Sequence, residues 1–329
     1  MKKIAGLLGV LMLVGLLYGC STTQSASNPN DTDVPCSIPS DTNLTVSASN
    51  ITVGSDSKSL TFNMAAIDQN NAAFTDLTKG NLQVSVASTP ETWTITYIAN
   101  GANTGTRNFS MAMTLDRSGS MSSADNSSLE AAALSLVGLI PQGDADVGVI
   151  NFASTVTVDA TMTTDKSLQS VAITDESYVG GSTALYDSMG AAIDLVLTGA
   201  NGYKVVIAMT DGGENYSSTY TTTTEIIDYS VQSGNVPIFA LGYGLSASSA
   251  AEVAMQNIAT GTGGLYYSAP SPEALVEVYD TLASTMANAY QVSISGNTAL
   301  PAGTHTLTIV VKDENGNVVY TVSVPFVVS

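Results

Sequence analysis

Phe109-Ser110-Met111-Ala112-Met113-Thr114-Leu115-Asp116-Arg117-Ser118-Gly119-Ser120 is the stretch whose reading decides the fold. Its first part is an apolar, strand-like run, and its last five residues form an oxygen-rich loop. Two more segments follow in order. Gly180-Gly181-Ser182-Thr183 opens a helical run, and Thr210-Asp211-Gly212-Gly213 closes an apolar one. Asp116, Ser118, Ser120, Thr183 and Asp211 together offer five side-chain oxygen ligands and neither nitrogen nor sulfur. Such a set suits a hard divalent cation, magnesium or manganese before calcium. It belongs to a binding site rather than an active site.

Strands and helices alternate outward from this run. Ser128 to Leu139 carries Leu129, Ala132, Ala133, Leu136 and Val137 on one helical stripe. A strand follows at Asp146 to Phe152, a helix at Ala184 to Leu197, and a strand apolar on both faces at Tyr203 to Met209. Glu225 to Gln232, Val236 to Leu241, Ala247 to Ala259, Gly264 to Tyr267 and Glu273 to Ala289 continue the series. Alternation of this kind predicts an α/β fold with a doubly wound, mainly parallel sheet flanked by helices. Ligand sites in such sheets lie outside the carboxyl ends of the strands, where the Asp116 and Asp211 loops fall.

The flanks read as β structure. Strands are expected near 44–52, 59–67, 82–87 and 92–98 before the α/β region. Val292 to Ser295, Thr306 to Val311 and Val318 to Val328 follow it, the last two joined through Asn315-Gly316, a hairpin turn signal. The strand count matches an immunoglobulin-like β-sandwich built from both flanks, with the α/β domain inserted. Two separate β units are the rival arrangement. The boundaries read as a β region over 44–105, the α/β domain over 106–289 and a second β region over 290–329.

Bulk composition prunes the functions. The 329 residues allow roughly two domains, and 44% apolar residues can fill two cores. Nine Lys and Arg against 28 Asp and Glu give a net charge of -19. A nucleic-acid backbone would be repelled. The only histidine, His305, begins an alternating stretch with Leu307, Ile309 and Val311 and reads as a strand residue. A zinc site of several imidazoles is thereby excluded, and a serine or cysteine hydrolase would have to run through that residue. No phosphate-binding G-x-x-x-x-G-K-[ST] loop occurs. The chain is expected not to be an enzyme.

The first residues read as an address. Lys2 and Lys3 precede an apolar run from Ile4 to Leu17, which is short for a transmembrane helix, and Gly19-Cys20 follows. Leu17, Gly19 and Cys20 resemble the bacterial lipoprotein signal, with Tyr18 a less usual occupant. That resemblance implies a signal peptide over 1–19, a lipid on Cys20 and, because Ser21 follows, export to the outer membrane. The mature protein would then sit in the cell envelope, facing the periplasm or the exterior. If the Cys20 sulfur carries a lipid, it cannot pair with Cys36. From 20 to 43 the chain is polar and proline-containing, as a flexible tether is. Fully extended, Ser21 to Asn43 would reach roughly 75 Å.

The central segments resemble a von Willebrand factor type A (VWA) domain with a metal-ion-dependent adhesion site. Its Asp-x-Ser-x-Ser is met by Asp116, Ser118 and Ser120, its threonine by Thr183 and its later aspartate by Asp211. The resemblance implies that neutral hydroxyls bind the ion, that Asp116 and Asp211 act mostly through waters and hydrogen bonds, and that one position stays open for a partner's Asp or Glu carboxylate. The function so implied is adhesion or assembly of an envelope complex. The alternative is a metal-independent envelope scaffold acting through its β-sandwich. Arg117, Tyr178, Tyr186 and Tyr216 are candidates for a partner-contacting rim. Glu214 and Asp187 read as solvating helix and loop rather than as ligands.

Overall fold

The computed structural model describes residues 28–87, 89, 91–101, 108–175 and 180–329. The signal peptide, Cys20 and Tyr178 lie outside the described residues.

A six-stranded sheet of order β10-β9-β8-β5-β6-β7 forms the middle of the molecule. β5 (Phe109–Asp116) lies between β6 (Ala145–Phe152) and β8 (Tyr203–Thr210), parallel to both. β9 (Ile238–Tyr243) and β10 (Tyr266–Ala269) continue the parallel order. All eight residues of β5 are buried, as its apolar run requires of a strand covered on both faces. Met111, Met113 and Leu115 join a core with α1 (Ser123–Leu139) and α6 (Pro272–Ala287). Ala112 on the opposite face packs in a core with α3 (Leu185–Leu197), α4 (Thr223–Gln232) and α5 (Ala250–Thr262). The sheet is therefore doubly wound.

Two elements were not foreseen. β7 (Val156–Thr163) runs antiparallel to β6 at the sheet edge, and α2 (Lys166–Ile173) follows it. β7 is threonine-rich and only partly buried, and α2 leaves Leu168 57% and Val171 70% exposed. Both periods are present in the sequence, Val156, Val158, Ala160 and Met162 alternating in β7 and Leu168, Val171 and Ala172 at helical spacing in α2, and both were passed over.

The flanks build one sandwich. Its first sheet has the order β1-β2-β11-β4, from β1 (Thr45–Val53), β2 (Ser59–Ile67), β11 (Tyr290–Ser295) and β4 (Thr94–Asn100). The second has the order β13-β12-β3, from β13 (Val318–Val328), β12 (Gly303–Lys312) and β3 (Leu82–Val86). Each sheet mixes strands from both ends of the chain, and Phe62, Met64, Trp93, Leu307, Ile309 and Phe326 share the core between them. Pro325 is tolerated because β13 is an edge strand. His305 is buried in this unit, its ring beside Phe326 and Nε2 bonded to Pro301 O at 2.7 Å. Asn100 of β4 is registered with Tyr290 of β11, so the chain leaves for the inserted domain and returns from it on adjacent strands.

The expectation of a flexible tether up to Asn43 is corrected over residues 28–43. That segment is a strap laid on the sandwich. Asn30 donates to Thr75 O at 3.0 Å and to Leu77 O at 2.8 Å. The fully buried Asn81 accepts the Cys36 N–H at 2.9 Å and donates to Cys36 O at 2.8 Å. Cys36 and Ile38 are buried. Composition suggested a tether, but amide side chains from a distant turn satisfy the strap's backbone groups. Among the described residues no helix is long and apolar enough to cross a membrane.

Candidate metal-binding site

Three loops converge at the carboxyl ends of β5 and β8. The first begins at Asp116, whose carboxylate is fully buried. Asp116 Oδ1 accepts the Ser118 N–H at 2.8 Å, and its Oδ2 accepts the Thr210 hydroxyl at 2.6 Å. This bent loop turns Ser118 and Ser120 toward one another, with 3.1 Å between their hydroxyl oxygens. Ser120 donates onward to Asp211 Oδ1 at 2.6 Å. A continuous chain of side-chain oxygens thus joins the β5 exit to the β8 exit. α1 starts immediately afterwards, capped by Ser122, which accepts the Asp125 N–H at 3.2 Å while Asp125 Oδ2 accepts the Ser122 N–H at 3.1 Å.

Thr183 enters through its own loop. Gly119 N–H bonds to Gly181 O at 2.9 Å, and Gly180 N–H to Arg117 O at 2.7 Å. Gly181 has φ +93, and a Cβ there would stand 2.6 Å from Ser154 Oγ, so this approach requires glycine. Asn215 holds the buried Thr183 from the other side, its Oδ1 accepting the Thr183 N–H at 2.8 Å and its N–H donating to Thr183 O at 3.1 Å.

Burial pushes the Asp116 carboxyl above the usual carboxylate range, against hydrogen bonds from Ser118 and Thr210 that lower it; Asp211 nearby adds to the rise. Burial also raises Asp211, opposed by its bond from Ser120. A fully buried and a half-buried carboxylate beside a row of hydroxyls form a place that a cation would stabilise. Among the described residues no group of three or more His, Cys, Asp or Glu could hold a metal. A cation here would therefore depend on the hydroxyls. Asp116, Ser118, Ser120, Thr183 and Asp211 fit a hard ion in donor type, all being oxygen and only two of them anionic.

The rim differs from expectation. Arg117 is 0% exposed and points inward, to Asn151, Asn126, Glu130 and Ile173 O, so it cannot touch a partner. Tyr186 is 7% exposed and packs in the core beneath the site. Tyr216 is 57% exposed. Glu214 gathers the N–H groups of Tyr186 at 2.9 Å and of Tyr216 and Ser217, both at 2.6 Å. Asp187 accepts the N–H groups of Ser218, Thr219 and Tyr220 within 3.0 Å. Both acids set the shape of the loop after Asp211. Sequence reasoning missed Thr210, Asn215 and Ser154 as positioning residues. Thr210 precedes Asp211 directly and Asn215 follows it by four residues, which was the available signal.

The family model of the von Willebrand factor type A domain matches residues 111–281. Three solved structures illustrate the fold likeness. A von Willebrand factor type A protein from Catenulispora acidiphila is 12% identical, covers 88% of this chain and 75% of its own, and gives a TM-score of 0.46. The vWF domain of the type V pili tip protein Mfa5 from Porphyromonas gingivalis is 12% identical over 55% of this chain and 95% of its own, with a TM-score of 0.46. The PilB minor pilin from Streptococcus sanguinis is 13% identical over 74% and 77%, also with a TM-score of 0.46. No curated protein matches the sequence.

Proposed function

The chain belongs to the von Willebrand factor type A family, and on that premise we propose that it is a lipid-anchored envelope protein that holds a divalent cation, magnesium first, and through it a carboxylate of a protein partner. Domains of this family are interaction modules, and the role proposed is adhesion or assembly of an envelope complex. The observation that carries the reading is the run from Ser118 through Ser120 to Asp211, set beside the buried Asp116.

When bound, the cation supplies an electrophilic position for a carboxylate oxygen. Ser118, Ser120 and Thr183 would hold it with neutral oxygens and leave its charge largely uncancelled. Asp116 fixes the loop by accepting the Ser118 N–H, and Asp211 accepts a hydrogen bond from the Ser120 hydroxyl, which leaves that oxygen's lone pairs free for the ion. Gly119, Gly181, Gly213, Ser122 and Ser218 are small, uncharged and exposed around the site, and Tyr216 is the exposed aromatic of the same loops. With Arg117 turned inward, the ion itself would be the attraction for an acidic group. A partner offering one carboxylate in a neutral or basic setting suits a chain of charge -19.

The test is thermal unfolding in chelator, then with magnesium, manganese or calcium, beside Asp116→Ala. A ligand bound only by the folded state at a hundredfold excess over Kd stabilises by about 2.7 kcal/mol. We expect a metal-specific rise in Tm that Asp116→Ala loses. A rise that survives the substitution would place the ion elsewhere. No rise with any ion would favour the metal-independent scaffold working through its sandwich.

The lipid anchor has its own test. With residues 28–43 strapped to the sandwich, the span from Cys20 to Asn28 is at most about 27 Å. A lipid on Cys20 would hold the sandwich close to the bilayer. Cys20→Ser should move the protein from the outer-membrane fraction to the soluble envelope fraction; unchanged fractionation would remove the anchor from this account.

A further inference from the structure

We propose that the cleft where the sandwich meets the α/β domain binds a neutral saccharide. The cleft has a volume of about 340 Å³ and is walled on one side by β1 and β13, on the other by α5 and the start of β10. That size and that position between two domains are those of small-molecule sites. Nothing in this inference depends on the metal site, which lies at the opposite, carboxyl ends of the strands.

Charge gives the class of ligand. The chain carries 28 acidic residues, yet no Asp, Glu, Lys, Arg or His lines this cleft. A ligand with a net charge, or with the separated charges of an amino acid, would lose its hydration there with no counter-charge to replace it. The polar lining consists of hydroxyls and carboxamides: Thr45, Ser47, Asn71, Gln256 and Thr260. Gln256, Asn71 and Thr260 are exposed at the mouth. Ser47 lines the inner wall and is 4% exposed.

The remaining lining selects shape. Ile67, Leu265 and Val322 supply apolar surface, and the half-buried Tyr266 and Tyr320 line the same cavity. Tyr266 is oriented by donating to Glu252 Oε1 at 3.2 Å. Aliphatic and aromatic surface beside several neutral donors and acceptors matches a pyranose ring, whose C–H face is apolar and whose edge is hydroxyl. A lipid tail would need a wall without these hydroxyls and amides. The occupant would touch both units at once, β1 and β13 from the sandwich and Gln256 and Tyr266 from the inserted domain. It would thereby tie the two together.

The experiment is isothermal titration calorimetry of the full protein in chelator against N,N′-diacetylchitobiose, maltose and galacturonic acid. The first two separate an N-acetylhexosamine source from a plain hexose source, and the third adds a carboxylate to a similar ring. We expect saturable binding of one neutral disaccharide below about 10 mM, and at least tenfold weaker binding of galacturonate. Gln256→Ala and Ser47→Val should each weaken the neutral sugar about three- to tenfold. Gln256 lies exposed on α5, so its variant is expected to fold and to keep the magnesium response. The proposal is overturned if neither disaccharide binds, if galacturonate binds as well as they do, or if both variants bind unchanged.

Discussion

Replacing Arg117 with alanine is expected to lower the unfolding free energy by about 3–5 kcal/mol, the usual result of removing one partner from a buried ion pair. The guanidinium is fully buried and uses its whole fork. Nε donates to Asn151 Oδ1 at 2.9 Å, and Nη1 donates to Asn126 Oδ1 at 3.0 Å and Glu130 Oε1 at 2.8 Å. Nη2 reaches the Ile173 carbonyl at the end of α2. Its loss leaves the largely buried Glu130 carboxylate, two amide oxygens and a carbonyl facing a void. Lysine, a single point donor, should recover less than half of the loss. Arg117 also holds the loops through its backbone, with its N–H on Phe152 O and its carbonyl accepting Gly180 N–H, both at 2.7 Å. The Arg117→Ala protein should therefore also show a smaller rise in Tm with magnesium. Urea unfolding gives the free energy; a change under about 1 kcal/mol would mean the fork adds little beyond an exposed pair.

Why this residue was misread shows what a sequence carries. The segments holding Asp116, Ser118 and Ser120 were legible because each lies at the end of a strong periodic signal. β2 and β13 were legible to the residue, since turn residues bound both runs, although β2 is buried on both faces from Phe62 to Ile67. Arg117 sits between two site residues, and its direction depends on Asn126, Asn151 and Ile173. Those acceptors come from α1, β6 and α2, which only the folded chain brings together. The strap over 28–43 failed for a like reason. Its proline and polar content reads as tether, and only the position of Asn81 in the fold makes its carboxamide a clamp for Cys36. Tyr186, a candidate rim aromatic, is carried inward by the first turn of α3. Local pattern fixes elements; which buried group meets which long-range partner is a property of the packed whole.

Gly263→Ala is expected to cost several times more than Gly234→Ala, though both glycines follow a helix in left-handed backbone. Gly234 has φ +88 and open space around its Cα, so alanine there meets only the conformational penalty, about 1–2 kcal/mol. Gly263 has φ +74 and ends α5, and its Cβ would lie 1.9 Å from Ala48 O. That oxygen is backbone of β1, paired on one side with β2, and cannot swing away as a side chain would. Relief requires the sandwich and the α/β domain to part. Parting strains the polar seam beside it: the Asn50 N–H on Asn235 O at 2.8 Å and the Lys204 N–H on Asn50 Oδ1 at 3.3 Å. The wild-type protein, with this seam intact, should unfold in one transition. In Gly263→Ala the sandwich should melt apart from the inserted domain, giving two. The magnesium response should persist in the upper or lower transition that belongs to the α/β domain, because Gly263 precedes β10 and lies at the strand ends remote from Asp116. Equal costs for the two alanines, or a single transition in both, would mean that the contact with Ala48 does not couple the two units.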